Sequence, residues 1–330
     1  MRFAVAGAVL AAITTAAHAD QQVRREALTL FGRLEAPAAK ATPEAQLGRA
    51  LFWDERLSLD GKTSCGSCHF ARDWGADRRS FSPDARGALT SRHSPTVFNS
   101  MSQPALRWLG DRKTGAEQAE GSITGSMGFG SKEAGLEALR KFDYLAAFRT
   151  AYPQDPEPLT LKNYGRAIAA YQATLVTPAP FDRFLGGDDR ALSERQKAGL
   201  RAFIVSGCAA CHSGTLLGGT AMQRFGVVKD YWLETGSAKI DLGRFAASKK
   251  EEDKYVFRVP MLRNVAKTAP YFHDGSVAQL DRAVRIMASV QLGRELDDAT
   301  VQAIVAFLGS LTGEIPANYA PPGRRPELKQ

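Results

Sequence analysis

Cys65-Gly66-Ser67-Cys68-His69 and Cys208-Ala209-Ala210-Cys211-His212 hold all four cysteines of the 330-residue chain. Each stretch is C-x-x-C followed at once by His. Three chemistries use cysteines at this spacing. A four-cysteine zinc site built from two C-x-x-C knuckles leaves His69 and His212 without a role. A thioredoxin-like redox pair usually occurs once, in a βαβ setting. Attachment of a c-type haem uses every residue of the motif, since the two thiols add to the vinyl groups and the adjacent imidazole meets the iron. Cysteines at i and i+3 stand on one face of a helical turn and straddle the porphyrin edge, and the next residue swings beneath the metal. The twin motifs point to two covalently bound haem c groups. All four thiols are then consumed, and no intrachain disulfide is expected.

The flanks of both motifs read as helices. Thr42-Pro43-Glu44 offers a capping residue with Pro at the first helical position, and Leu47, Ala50, Leu51 and Phe52 form an apolar face before Cys65. Ser193-Glu194-Arg195-Gln196 is a capping box opening a helix with Leu200, Phe203 and Ile204 that runs into Cys208. Leu161, Tyr164, Ile168, Tyr171 and Leu175 fall at helical spacing, as do Val301, Ile304, Val305 and Leu308. The last helix is expected to stop at Gly313, with Pro316 beyond. Helix, CxxCH, loops and helix thus occur twice. The expected fold is all-α, with two cytochrome c-like domains at 20–187 and 188–330 and a boundary near Gly186-Gly187-Asp188-Asp189. Val256 to Pro260 is the one short extended piece.

A hydrophobic content of 44% and a charged content of 24% are those of a soluble globular protein long enough for two domains. Arg2, the apolar run Phe3 to Ile13 and Ala17-His18-Ala19 form a secretory signal peptide over residues 1–19, cleaved near Ala19. The run is shorter than the roughly 20 residues a membrane span needs. An exported chain with no membrane span, placed in the periplasm, is expected. The formal charge of +8 falls by one with Arg2, leaving +7. The basic residues are scattered, without the stripe that marks nucleic-acid binding. An electropositive face could still steer an acidic protein partner.

Leu47-Gly48-Arg49-Ala50-Leu51-Phe52-Trp53-Asp54-Glu55-Arg56-Leu57-Ser58, Ser94-Pro95-Thr96-Val97-Phe98-Asn99, Phe257-Arg258-Val259-Pro260-Met261-Leu262-Arg263-Asn264-Val265 and Thr268-Ala269-Pro270-Tyr271-Phe272-His273-Asp274-Gly275-Ser276 resemble segments of bacterial dihaem cytochrome c peroxidases. The wider superfamily includes MauG-type enzymes, which oxidise side chains of partner proteins. The resemblance implies a division of labour. His69 would bind the iron of an N-terminal haem that meets hydrogen peroxide. His212 would bind the iron of a C-terminal haem that takes electrons from a small c-type cytochrome or copper protein (a cupredoxin). Met287 stands where the peroxidase branch has its sixth ligand. On its own it is one of a helical face with Leu280, Ala283 and Val284, the pattern of plain core. Met/His ligation raises the reduction potential, and a Tyr there would have pointed to the MauG branch. Trp108, in Leu106-Arg107-Trp108-Leu109-Gly110-Asp111-Arg112, matches the inter-haem electron relay. His273 matches a structural residue beside the second haem and its propionates. A homodimer is an open expectation.

Two departures concern the open face of the first haem. The family has a Glu there, an acid–base group that eases O–O cleavage by moving a proton. In Glu117-Gln118-Ala119-Glu120-Gly121-Ser122-Ile123-Thr124-Gly125-Ser126-Met127-Gly128-Phe129-Gly130 that position falls on Ser126 or Gly128. Many relatives also carry a distal His in a loop matching the region near Ala85, and Ser82 to Ser91 contains none. His93 stands where the family has an Asn that helps bind calcium between the domains, with Thr268 and Pro270 at other calcium positions. His93 reads first as a hydrogen-bonding residue of the interface, and His93 or Met127 is otherwise a candidate distal ligand. Three functions follow: a peroxidase reducing hydrogen peroxide to water, a MauG-like oxidant of a partner protein, and a non-catalytic electron-transfer or haem-sensing protein.

Overall fold

In the computed structural model, residues 20–35 and 42–323 are described. The expected signal peptide, residues 1–19, lies outside them. Helix α1 spans residues 20–31. It is followed by α2 (Pro43–Trp53), α3 (Gly115–Thr124), α4 (Lys132–Lys141), α5 (Leu145–Ala151), α6 (Leu161–Ala173), α7 (Pro180–Leu185), α8 (Glu194–Val205), α9 (Tyr231–Thr235), α10 (Phe245–Ser248), α11 (Leu280–Leu292) and α12 (Asp298–Gly309). Strand β1 (Met222–Arg224) pairs antiparallel with β2 (Val256–Arg258), Met222 opposite Arg258. The fold is therefore helix-rich with one short ribbon. The extended piece at Val256 is β2, and its partner carries no sequence signal of its own.

The caps form as the sequence dictates. Thr42 accepts the Ala45 amide at the start of α2, and Ser193 and Gln196 bond reciprocally at the start of α8. The repeat is real in three dimensions. A Cβ on Gly48 would stand 1.8 Å from the Ala167 carbonyl oxygen, and one on Gly199 the same distance from that of Ala303. So α2 crosses α6, and α8 crosses α12, at backbone contact that only glycine permits. Asn99 and Asn264 both sit at positive φ, 59° and 64°. Both side-chain amides donate to Thr177 Oγ1, at 2.8 and 2.9 Å. Their carbonyls accept the amides of Thr177 and Gly313. This clasp ties the ends of α6 and α12 together. It also explains why α12 stops at Gly309, earlier than Gly313: the Gly313 backbone is engaged by Asn264, and a Cβ there would meet the Thr177 carbonyl at 2.5 Å.

Two large hydrophobic cores result, with three smaller clusters beside them among the described residues. Leu51, Phe52, Ile123, Leu139, Tyr164 and Ile168 build the first, joined by Tyr319 from the end of the chain. Leu200, Phe203, Ile304 and Phe307 build the second, joined by Val23 and Phe31 of α1 and Phe181 and Phe184 of α7. Both ends of the described chain thus pack into the core of the opposite half. Under α7, the buried Arg263 guanidinium grips Asp182 with two bonds of 2.5 and 2.9 Å, and Asp182 also accepts the amides of Leu34 and Ala179.

Candidate haem centres

The second motif opens on a cavity that, together with the open solvent at its mouth, holds about 1230 Å³ of space free of atoms. Cys208, Cys211 and His212 reach it from the 3-10 turn that follows α8, and Leu280, Ala283, Val284 and Met287 from α11. Its remaining lining is mostly apolar, with Phe203, Phe225, Phe257 and Leu308 among it. His212 Nδ1 lies 3.1 Å from the Leu217 carbonyl. That partner leaves Nε2 as the ligating nitrogen. Burial depresses the His212 pKa, against the opposing carbonyls of Leu217 and Pro260, so the imidazole is held neutral as a metal ligand must be.

The first motif repeats this geometry. His69 Nδ1 lies 2.9 Å from the Gly75 carbonyl, and Tyr319 Oη donates to the His69 carbonyl at 2.6 Å. A Cβ on Gly66 would strike the Trp53 ring at 2.2 Å, so the turn packs tightly on that indole. Loop 125–130 closes over the neighbouring segments: Leu59 N donates to Met127 O at 2.8 Å, and Ala85 N to Ser126 O at 2.9 Å. Met127 is buried in the first core. Gly128 has φ +86°, and a Cβ there would press on Leu59 and Ala85 at 3.0 and 3.2 Å. The two departures from the expected distal set, near Ala85 and at Ser126 or Gly128, therefore meet at one place. The nearest carboxylates upstream are engaged elsewhere, Glu117 by the Lys113 amide at 2.8 Å and Glu120 by Lys132 at 4.0 Å.

The cavity at the second motif fits a haem, the first motif repeats the same donor set, and neither fits the competing chemistries. Burial pushes the Cys65 thiol up to about 12 and Cys208 up to about 11, and raises Cys68 as well. A redox-active C-x-x-C needs the opposite shift, toward thiolate. All four thiols are free, and the described residues contain no cluster of three or more His, Cys, Asp or Glu able to hold a metal ion, so the two motifs do not form one zinc site. Residues 42–190 match the family model described as di-haem cytochrome c peroxidase. The chain is 46% identical over 279 residues to cytochrome c551 peroxidase of Pseudomonas aeruginosa, covering 83% of this chain and 80% of the relative. The chain belongs to the dihaem cytochrome c peroxidase family. It is also 32% identical over 299 residues to methylamine utilization protein MauG of Methylophilus methylotrophus, covering 84% and 86%. Among solved structures it resembles a MauG-like protein associated with microbial copper homeostasis, with a TM-score of 0.75, 26% identity, and coverage of 88% of this chain and 95% of that one.

Within this peroxidase fold, the segment between the two centres is tightly bonded. Trp108 is buried, lines the second cavity, and donates its indole N–H to the His93 carbonyl at 2.8 Å. His93 N in turn donates to the His273 carbonyl at 2.8 Å, and His93 Nδ1 lies 3.1 Å from the Arg79 carbonyl. His93 is thus bonded into the interface. Thr268 Oγ1 is 3.4 Å from the Val265 carbonyl, and Pro270 follows in the next turn. His273 reaches the cavity, its buried Nε2 without a hydrogen-bond partner but 3.8 Å from Asp241 Oδ2, its ring stacked on Phe257 at 4.3 Å. Two features escaped the sequence reading. Arg92 and Asp241 form a bidentate bridge of 2.7 and 2.8 Å across the halves, and Arg258 is a buried cation at the cavity. Nothing in their spacing marks either one, since burial and partnership arise only on folding.

Proposed function

We propose that the chain is an exported, periplasmic two-haem peroxidase that reduces hydrogen peroxide to water with two electrons from a small cytochrome or copper protein. The observation that carries this reading is the convergence of Cys208, Cys211, His212 and Met287 on one apolar cavity, with Trp108 in its wall. Haem bound at the two motifs supplies redox-active iron, one centre accepting electrons and the other facing peroxide. Cys65, Cys68 and His69 would hold the first group, and Cys208, Cys211 and His212 the second, with Met287 as sixth ligand. The Met287 thioether favours a high potential at the second centre. Trp108, held by its one hydrogen bond to the His93 carbonyl, would relay electrons between the centres. The cavity residues Arg224 and Gln291 adjoin the exposed Val227 and Val228, a rim on which a small donor could dock. The division into domains at 20–187 and 188–330 puts one motif in each, while α1 and α7 cross to the second core and Tyr319 to the first.

The proton-handling part of the site is reduced. Ser126 stands partly exposed at the loop where the family carboxylate is expected, and a hydroxyl is a poor proton acceptor at neutral pH. This favours one second reading, an electron-transfer or sensing protein without peroxide turnover. The test is steady-state peroxide consumption with a reduced small cytochrome as donor. Donor oxidation that is first order in enzyme and halts without peroxide supports the peroxidase reading. Donor oxidation no faster than in the enzyme-free control supports the second.

A further inference from the structure

Arg258 and Arg263 belong to the same segment and are both buried, at 4% and 1% exposure. Their charges are treated differently. Arg263 has the carboxylate of Asp182. Arg258 has none. Its Nε donates to the Arg107 carbonyl at 2.9 Å and its Nη1 to Gln103 Oε1, both neutral oxygens. No described Asp or Glu forms an ion pair with it. Its backbone amide donates to the Trp108 carbonyl at 2.7 Å. The residue lines the cavity that holds Cys208, His212 and Met287. A buried cation without an anion costs several kcal/mol, and burial alone draws the Arg258 pKa down to about 10. The two acceptors occupy Nε and one Nη, and a guanidinium has five N–H groups in a fixed fork suited to a carboxylate.

We infer that Arg258 is the anchor and counter-charge for a propionate carboxylate of the group attached at Cys208 and Cys211. The inference rests on the reading of that motif as a haem site. Gln103 and Arg107 orient the guanidinium from the loop that carries Trp108, so the propionate is tied to the same loop as the relay. The positive charge beside the ring favours the reduced state. Arg258 is thus a positioning residue that sets the potential of the second centre without touching its iron.

The test uses the full holoprotein. Covalent haem per chain is counted first, then the potential of the second centre is titrated against pH in wild type, Arg258→Met, Arg258→Lys and Gln103→Glu. With haem retained, Arg258→Met is expected to make reduction about tenfold less favourable, a downward shift of ~59 mV. It should also bring a new pH dependence as the freed propionate titrates. Arg258→Lys should keep most of the wild-type potential. Gln103→Glu, which leaves Arg258 in place but gives it a protein carboxylate, should lower the potential in the same direction. Unchanged potentials in Arg258→Met or, if that variant does not fold, in Gln103→Glu overturn the inference. So does a wild-type potential that follows the concentration of added chloride or phosphate, which would make a free anion the partner. A wild-type chain without covalent haem overturns this inference and the parent reading together; loaded haem with unmoved potentials overturns this one alone.

Discussion

Ser126 is the residue at which one substitution should change the chemistry most. Its loop is tied to the Leu59 and Ala85 segments by the Ala85–Ser126 and Leu59–Met127 bonds, so a carboxylate placed there gains a fixed position. Ser126→Glu is expected to raise peroxide turnover with a reduced donor by about 10²–10⁴-fold, the range of general acid–base catalysis. Gly128→Glu should instead destabilise the protein, because the left-handed backbone strains any side chain there and its Cβ would crowd Leu59 and Ala85; a lowered Tm with no gain in turnover is the expected outcome. At the second centre, Met287→His should lower the reduction potential measured by redox titration, since His/His ligation lacks the thioether that raises it. The residues behind these expectations were legible at different depths. Cys65, His69, Cys208 and His212 declare themselves by spacing. Met287 does so only through the family, because a Met on an apolar helical face is usually core. Arg258 does not declare itself at all: its meaning lies in the missing carboxylate, a property of the folded surroundings.

At the level of elements, the pairs α2/α6 and α8/α12 and their caps follow from apolar periodicity and from Thr42 and Ser193. What periodicity could not show is which core each element joins. Helices α1 and α7 precede the second motif in sequence yet pack with Leu200 and Phe307, and Tyr319 returns to the first core. Those pairings are long-range and leave no local pattern. The Asp182–Arg263 pair pins α7 to the segment before the clasp. Arg263→Ala removes one side of a fully buried ion pair and leaves Asp182 with an uncompensated charge, so a loss of about 3–5 kcal/mol is expected. Denaturant unfolding checks it: a lower midpoint with an unchanged slope is the anticipated result.

For the whole molecule, the seam between halves is polar and titratable. Burial draws His273 below the ordinary imidazole value of 6.5; Asp274 and Asp241 oppose this, and Arg92 adds to it. The unfolded chain therefore takes up a proton below about pH 6.5 that the folded chain refuses, and stability declines there as pH falls. Asp241 is raised by burial but carried below its ordinary value of 3.8 by the hydrogen bonds and charge of Arg92, with Gly243 N and His273 assisting. Its contribution is present above about 3.8 and is lost as pH drops through the folded value. Melting curves from pH 8 to 3 should show both losses, and Arg92→Ala should remove most of the lower one. The same seam carries Trp108, bonded to the His93 carbonyl, so under the proposed relay its integrity would bear on electron transfer as well as on folding. The central claim is that electrons stored at the second centre serve peroxide reduction at the first. Its most direct measurement is the absorption spectrum of the half-reduced holoprotein before and after one equivalent of peroxide. The account expects a high-spin first centre that peroxide changes at once, with oxidation of the reduced second centre. A first centre that is wholly low-spin, and a spectrum that peroxide leaves unaltered, would contradict it.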